Sequence, residues 1–134
     1  MAHQQSVKVR FSETDALGHI SNISYFIYLE EARVEFFREL GFNMDIANWN
    51  VILISASCDF IKQGYFDQKL TVISHIDRIG NSSFKIGHEI VDAETGSLIA
   101  KGSAGGVHFN FDTQKSELLP ADIRRKLEKH QREV

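Results

Sequence analysis

Apolar side chains recur with helical spacing from Asn22 to Leu40, and this pattern predicts the central element of the chain. At about 100° per residue they fall within one wide arc of a helix roughly 28 Å long. Ser21 or Asn22 can cap its start, and Gly41 can adopt the left-handed conformation that ends a helix. The apolar arc contains Ile23, Phe26, Leu29, Val34, Phe36, Phe37 and Leu40.

Charged and polar residues occupy the opposite arc, but two charges interrupt the apolar side. Glu30 and Arg33 project into the apolar arc, where a charge is costly unless it is paired or faces a functional site. Because they are three residues apart on a helix, they can pair with each other. The polar arc contains Ser24, Glu31, Glu35, Arg38 and Glu39.

Alternation of apolar and polar residues predicts five strands, followed by a short C-terminal helix over 121–130 that begins after Pro120. Gly105 and Gly106 interrupt the last strand and predict a bulge there. The predicted strand bounds are 7–11, 51–62, 69–79, 83–92 and 97–111. The first strand would bury Val7, Val9 and Phe11 on one face, and one face of the second would carry Ile52, Ile54, Ala56, Cys58 and Phe60.

This order of elements predicts an α+β fold in which an antiparallel five-stranded sheet wraps around one long central helix. A helix that is apolar over more than half of its circumference needs cover on most sides. The sheet edges need cover as well, so we expect a homodimer in which two sheets continue side by side. At 134 residues, the chain suits a single domain over 1–134.

Composition narrows the classes of function. The chain is 43% hydrophobic and 25% charged, as in ordinary globular proteins, and its net charge of −3 gives no attraction to nucleic acid. We see neither an apolar signal region at the N-terminus nor the roughly 20 apolar residues that cross a bilayer. We therefore expect a cytoplasmic protein that binds neither nucleic acid nor membrane.

The cysteine and histidines predict structural roles and no metal site. A single cysteine, Cys58, excludes an internal disulfide and a cysteine-based zinc site, and its phase predicts packing as a small hydrophobe. Six histidines are spread over different elements without the spacing of zinc ligands. His88 lies in phase with apolar neighbours, which predicts a hydrogen-bonded core residue.

The polar turn from Thr14 to Asn22 is the best candidate for chemistry. Asp15 lies on a loop containing Gly18 that can fold back over the start of the helix. Unpaired N–H groups and a partial positive charge at a helix N-terminus suit a developing oxyanion. A carboxylate and an oxyanion site on one segment could serve acyl transfer, but the spacing also allows Asp15 to close an Asx turn, with His19 solvated.

The segment from Val7 to Phe37 resembles the hotdog-fold acyl-CoA thioesterases of the 4-hydroxybenzoyl-CoA thioesterase family. Their signature is an Asp-Ala-x-Gly-His-like loop, an Asn-x-x-Tyr helix start and a Glu-Ala-Arg helix body. A weaker resemblance continues through the strands and returns at 118–127. The matching residues are Asp15, Gly18, His19, Asn22, Tyr25, Glu31, Ala32 and Arg33.

The resemblance implies a hotdog fold and hydrolysis of an acyl-CoA thioester to a free acid and CoA. It makes Asp15 the catalytic carboxylate, as nucleophile or general base, with the thioester carbonyl polarised by a backbone N–H near Asn22. His19 and Tyr25 are expected to position groups in the site. No cofactor is implied beyond CoA as part of the substrate. Active sites of this family lie between subunits, and its dimers often pair again into tetramers.

The substrate would need an apolar pocket and local cations. We expect Gly18, Ile23 and Phe26 to line the acyl site, together with residues around Ile54, which suits either a fatty or an aromatic acyl group. Basic residues near strand ends are candidates to contact the CoA phosphates. These are Arg78 and Lys85, which flank one hairpin, and also Lys62 and Lys101.

Two other functions fit the sequence. Hydrolysis of an acyl chain carried on acyl carrier protein would favour a basic docking patch over a nucleotide pocket. A noncatalytic acyl-CoA binding protein could use the same fold, because a fold does not determine a function. The carboxylate of Asp15 argues against the pure binder, which has no need of it.

Overall fold

Five antiparallel strands curl around one long helix in the computed structural model, which describes residues 2–132. The sheet order is β1-β3-β4-β5-β2, and a two-residue strand, β6, adds to β5. The predicted α+β architecture is therefore confirmed. The bounds are β1 His3–Lys8, α1 Asn22–Leu40, β2 Val51–Phe60, β3 Lys69–Ile79, β4 Ser83–Asp92, β5 Leu98–Asn110, β6 Lys115–Ser116 and α2 Ala121–Lys129.

The long helix α1 has the predicted bounds, and Gly41 ends it in the left-handed region with φ of 89°. Its N-terminal half packs Tyr25, Tyr28, Leu29 and Ala32 against β3, β4 and β5. Its C-terminal half packs a second cluster that also takes in α2. The second cluster contains Phe36, Phe37, Leu40, Phe42, Val51, Ile76, Phe84, Ile86, Leu119, Ile123 and Leu127.

The face that α1 buries differs from the prediction at its first turns. Ile23 is 74% exposed and Phe26 is 39% exposed, whereas Ser24, placed on the polar arc, is buried with Tyr28. Apolar residues extend so far around the first turns that periodicity does not define one inner face. Packing against the sheet selects the side of Tyr25 and Tyr28, and leaves Ile23 and Phe26 facing out.

The first strand lies earlier than predicted. β1 runs from His3 to Lys8, and Phe11 begins a 3₁₀ turn where we expected the end of the strand. Phe11 is 75% exposed and does not join the core. The polar residues of β1 form a strand because they pair in antiparallel register with β3, from His3 opposite Ser74 to Lys8 opposite Lys69.

An irregularity in the β2–β5 pairing lies in β2 and not in β5. Leu53 pairs with Gly106 and Ser55 with Gly105, so Ile54 is the extra residue. A Cβ on Gly105 would stand 2.7 Å from the Ser55 hydroxyl oxygen, so a larger residue opposite the bulge would require the Ser55 side chain to move. The alternation predicted for β2 is broken, and Val51 is buried instead of Ile52.

Several side-chain predictions are confirmed. Cys58 is half-buried against the first cluster, and burial raises the pKa of its thiol to about 11, so it behaves as a small hydrophobe. His88 is buried, and its Nδ1 lies 2.7 Å from the Ser74 hydroxyl. Burial lowers the pKa of His88 to about 3, which keeps the ring neutral. Burial likewise lowers the pKa of Arg33, and the charge of Glu30 opposes this shift.

Candidate active site

The loop that carries Asp15 is a tight turn held by its own carboxylate. Asp15 Oδ1 accepts the N–H groups of Leu17 at 2.8 Å and His19 at 3.2 Å. Gly18 occupies the left-handed region with φ of 77°, which a tight turn of this shape requires. The Asx-turn interpretation is therefore correct for Oδ1, and the exposed carboxylate still presents Oδ2 to solvent.

A neighbouring loop holds this turn against the start of α1. The Ile20 N–H donates to the Gly64 carbonyl at 2.9 Å, and the Phe66 N–H donates to the Gly18 carbonyl at 3.0 Å. The ring of His19 lies edge-on to Tyr65, with centroids 5.2 Å apart. His19 is thus half-buried and joins two loops. The interpretation in which His19 is solvated is therefore wrong.

The first turn of α1 lacks a side-chain cap. Ser21 is the N-cap residue, but its hydroxyl makes no capping hydrogen bond. Instead, Ser21 Oγ lies 2.9 Å from Ser24 Oγ, and the Ser24 hydroxyl donates to the Glu13 carbonyl at 2.9 Å. The N–H groups of Asn22 and Ile23 thus remain available to an external acceptor, next to the positive end of the helix dipole.

Glu13 anchors the Asp15 loop to the body of α1, and the sequence did not reveal this role. Its carboxylate accepts hydrogen bonds from the Arg10 backbone at 2.8 Å, the Arg10 guanidinium at 2.8 and 3.0 Å, and the Tyr28 hydroxyl at 3.0 Å. Burial raises the pKa of Glu13, but these hydrogen bonds outweigh it and hold the pKa below its usual value. The one sequence signal was the spacing of Arg10 and Glu13.

Glu13→Gln is expected to lower the free energy of unfolding by about 1 to 3 kcal/mol at pH 7, because the charge that pairs with Arg10 is lost. A depressed pKa stabilises the fold above the unfolded carboxyl pKa of about 4.3 and loses that stabilisation as pH falls. Urea unfolding should therefore separate wild type and variant at pH 7, and the difference should shrink as pH falls below about 4. An unchanged difference at both pH values would contradict this role.

A small cavity opens at the start of α1. It has a volume of about 190 Å³. Tyr25 lies beside it, with its ring centroid 5.1 Å from that of Phe60. Burial raises the pKa of Tyr25, and a hydrogen bond with the Gly64 backbone opposes the shift. The lining residues are Ile20, Asn22, Tyr25, Phe60, Ile61, Lys62 and Gln63.

The structure brings together only some of the predicted site residues. Asp15, Gly18, His19, Asn22 and Tyr25 share one corner of the fold. Arg78 and Lys85 pair across the β3–β4 hairpin. Gln68 ends the loop that contacts the Asp15 turn, and Arg78 comes ten residues later. Those residues belong to the extended strand β3, so the path between the two along the strand is roughly 33 Å. The structure therefore does not bring Arg78 and Lys85 to the Asp15 corner of the same chain, and their contact with the CoA phosphates stays a prediction.

Lys62 is a cation that lines the cavity at this corner. It lines the small cavity and a neighbouring cavity of about 580 Å³, and its Nζ donates to the Ser97 hydroxyl at 2.7 Å. The sequence had placed Lys62 among several basic candidates without distinguishing it. Its position between the two cavities depends on β2, β5 and the loop after β2, which only the fold brings together.

Nearly the whole chain matches one family in sequence. The sequence model of the thioesterase-like superfamily matches residues 9–127. The chain belongs to the thioesterase-like superfamily.

Two relatives are similar to most of the chain. The uncharacterized protein YsmA of Bacillus subtilis is 31% identical over 122 residues, which are 84% of this chain and 82% of that protein. The long-chain acyl-CoA thioesterase FadM of Escherichia coli is 25% identical over 131 residues, covering 93% of this chain and 96% of that protein.

A solved structure confirms the hotdog fold of this thioesterase-like chain. A predicted thioesterase from Bacillus stearothermophilus superposes with a TM-score of 0.92 at 36% identity, covering 100% of this chain and 99% of the other.

Within residues 2–132 of the superfamily member described here, no helix is long and apolar enough to cross a membrane. In the same range, no cluster of three His, Cys, Asp or Glu side chains could hold a metal ion.

Proposed function

We propose that this protein is an acyl-CoA thioesterase of the 4-hydroxybenzoyl-CoA thioesterase family, with Asp15 as its catalytic carboxylate. One observation carries the proposal: an exposed carboxylate lies on a rigid turn beside a helix start whose first N–H groups have no side-chain cap. A carboxylate and an oxyanion site are the two groups that thioester hydrolysis needs. The name of the Escherichia coli relative, a long-chain acyl-CoA thioesterase, supports the substrate class.

In this mechanism the thioester carbonyl oxygen accepts hydrogen bonds from the N–H groups of Asn22 and Ile23. The helix dipole stabilises the negative charge that develops on that oxygen. Asp15 Oδ1 stays bound to Leu17 and His19, which leaves Oδ2 to act. Oδ2 either takes a proton from an attacking water or attacks the carbonyl carbon itself, and in both cases the C–S bond breaks and CoA leaves as a thiolate.

The two forms of the mechanism can be separated by isotope labelling. Direct attack forms a mixed anhydride between the acyl group and Asp15. When water attacks the Asp15 carbonyl of this anhydride, the oxygen of the water stays on Asp15. A single turnover in ¹⁸O-water would then place the label in the Asp15 peptide, as measured by mass spectrometry. Label found only in the free acid would rule out opening of the anhydride at the Asp15 carbonyl.

Lys62 is the residue we propose to contact the CoA phosphates. It lies between the cavity at the helix start and the larger, more open cavity beside it. If the acyl group binds at the start of α1, the CoA arm would therefore pass close to Lys62. Ile23 and Phe26 face out next to the helix start, where they suit contact with the acyl chain.

The two edges of the sheet support a homodimer formed through β2. The β1 edge is short and polar, with the sequence HQQSVK. The β2 edge has ten residues and exposes Ile52, Leu53 and Ile54, the last at 63%. A long apolar edge strand invites pairing with another strand, and a second copy of β2 would satisfy it by two-fold symmetry.

Ile54→Lys is expected to convert the dimer to a monomer, because it places two like charges close to the two-fold axis. Light scattering after size exclusion should change from twice the 15.2 kDa chain mass to the chain mass itself. Gln4→Lys, on the polar edge strand β1, is the matched control and should leave the dimer intact. A monomeric wild type that hydrolyses acyl-CoA would overturn the proposed assembly.

Free thiol released from short, long and aromatic acyl-CoAs tests the proposed function directly. Release that depends on the acyl group, and that the Asp15→Asn variant loses, is the expected result. Binding of acyl-CoA without release would identify a noncatalytic binder. Release from acyl carrier protein but not from CoA would identify the carrier-protein thioesterase.

A further inference from the structure

A large apolar cavity lies at the far end of α1 from Asp15. It has a volume of about 630 Å³, within the range of roughly 300 to 1,000 Å³ usual for ligand pockets. The only charged group in its lining is the Arg38 guanidinium, whose Nε lies 3.4 Å from Glu35. The lining residues are Val34, Arg38, Met44, Ile46, Ala47, Trp49 and Phe111.

This cavity and the start of α1 lie on one face of the helix. At 100° per residue, Ile23, Ile27 and Val34 fall within an arc of about 40°. Ile23 and Ile27 are exposed, so apolar side chains extend about one helical turn from the uncapped N–H groups toward the cavity. Glu30 lies on this face as well and is exposed, so its carboxylate stays in solvent.

We propose that the cavity holds the far end of a long, unbranched acyl chain whose thioester carbonyl lies at the start of α1. This inference rests on the proposed function. Val34 follows Asn22 by twelve residues, which is about 18 Å along the helix axis. An extended alkyl chain, with C–C bonds near 1.5 Å, advances roughly 1.3 Å per carbon, so about fourteen carbons are needed to reach the cavity.

Chain length is therefore the property that the cavity distinguishes. Butyryl, octanoyl and benzoyl groups end on the open face of α1, whereas a palmitoyl group places its last carbons among Met44, Trp49 and Phe111. Each methylene that moves from water into an apolar site improves affinity by roughly fourfold. The gain should appear only for the carbons beyond about the fourteenth.

Trp49 reports on the cavity without any need for turnover. It is the only tryptophan of the chain and lines the cavity. We would titrate the protein with stable 2-oxoalkyl thioether analogues of CoA, in which a methylene separates sulfur from carbonyl. Trp49 emission should not respond to analogues of butyryl or octanoyl length and should shift to shorter wavelength with the palmitoyl-length analogue.

A variant that fills the cavity completes the test. Ala47 is exposed at the rim, so Ala47→Phe should leave the fold intact. It should abolish the Trp49 response and reduce palmitoyl-analogue affinity about tenfold or more, with octanoyl-analogue affinity unchanged. Ala121→Phe, at the exposed start of α2, adds the same side chain elsewhere and should change neither.

Three results would overturn the proposal. The first is an equal Trp49 response to the butyryl-length analogue. The second is no Trp49 response to the palmitoyl-length analogue, whether or not calorimetry shows that this analogue binds. The third is Trp49 emission that changes with protein dilution instead of with ligand. The last would mean that a second copy of the chain fills the cavity. Binding that depends on chain length, without hydrolysis, would contradict the proposed function but not the cavity proposal. Hydrolysis without a Trp49 response would contradict the cavity proposal but not the proposed function.

Discussion

Asp15→Asn is expected to lower the turnover number for acyl-CoA hydrolysis at least about a hundredfold, with little change in thermal stability. Asparagine has nearly the same shape and keeps an oxygen that accepts the N–H groups of Leu17 and His19. The turn therefore keeps its conformation, and only the base or nucleophile at Oδ2 is removed. Thiol release under saturating substrate, with a thermal melt of the same sample, measures both quantities.

Asp67→Asn is the matched control for this variant. Asp67 is an exposed carboxylate in the adjacent loop, and its Oδ1 lies 3.1 Å from Lys8 Nζ. Its φ of 69° is in the left-handed region, which asparagine also tolerates. Asp67→Asn should retain turnover near the wild-type rate, since surface ion pairs contribute little. Near wild-type turnover in Asp15→Asn would remove Asp15 from the site.

Leu29→Asp is expected to prevent folding. Leu29 is 2% exposed, and its Cδ1 would lie 2.6 Å from a Cβ built on Gly102, so helix and sheet leave no room for water there. Deleting a buried leucine side chain costs about 2 to 5 kcal/mol, and burial of an unpaired carboxylate adds to this. The sum approaches the whole stability of an ordinary domain, about 5 to 15 kcal/mol.

Circular dichroism and a thermal melt of the purified protein measure this effect. Glu31→Asp is the control, because Glu31 is exposed on the same helix and the change places aspartate in α1 without burying it. The control should melt cooperatively within a few degrees of wild type. A folded Leu29→Asp protein with a similar melt would contradict the packing of α1 against β5.

Much of the local structure could be predicted from the sequence because its signals are local. The bounds of α1, β3 and β4 match the prediction, and α2 matches within one residue. These elements have regular periodicity and end at residues with turn chemistry, such as Gly41 after α1 and Gly80 after β3. The Asp15 turn was also foreseen as one of two interpretations, since an Asx turn forms within a few residues.

Other features depend on residues far apart in the chain. Glu13 is buried because Tyr28, fifteen residues later, donates to its carboxylate. Lys62 lies beside the helix start, and Arg78 does not, because the order of strands decides which strand ends meet. No periodicity encodes these distances, so they could not be predicted from a single sequence.

The sequence by itself determined the long helix from Asn22 to Leu40, the α+β arrangement and the loop with its carboxylate, because each follows from spacing along the backbone. The tertiary structure alone decided which side of the helix is buried. Ile23 and Phe26 are as apolar as Leu29, yet they face out because the sheet covers the other side. The physical reason is that an apolar residue requires burial somewhere, while the direction of burial is set by the partner surface.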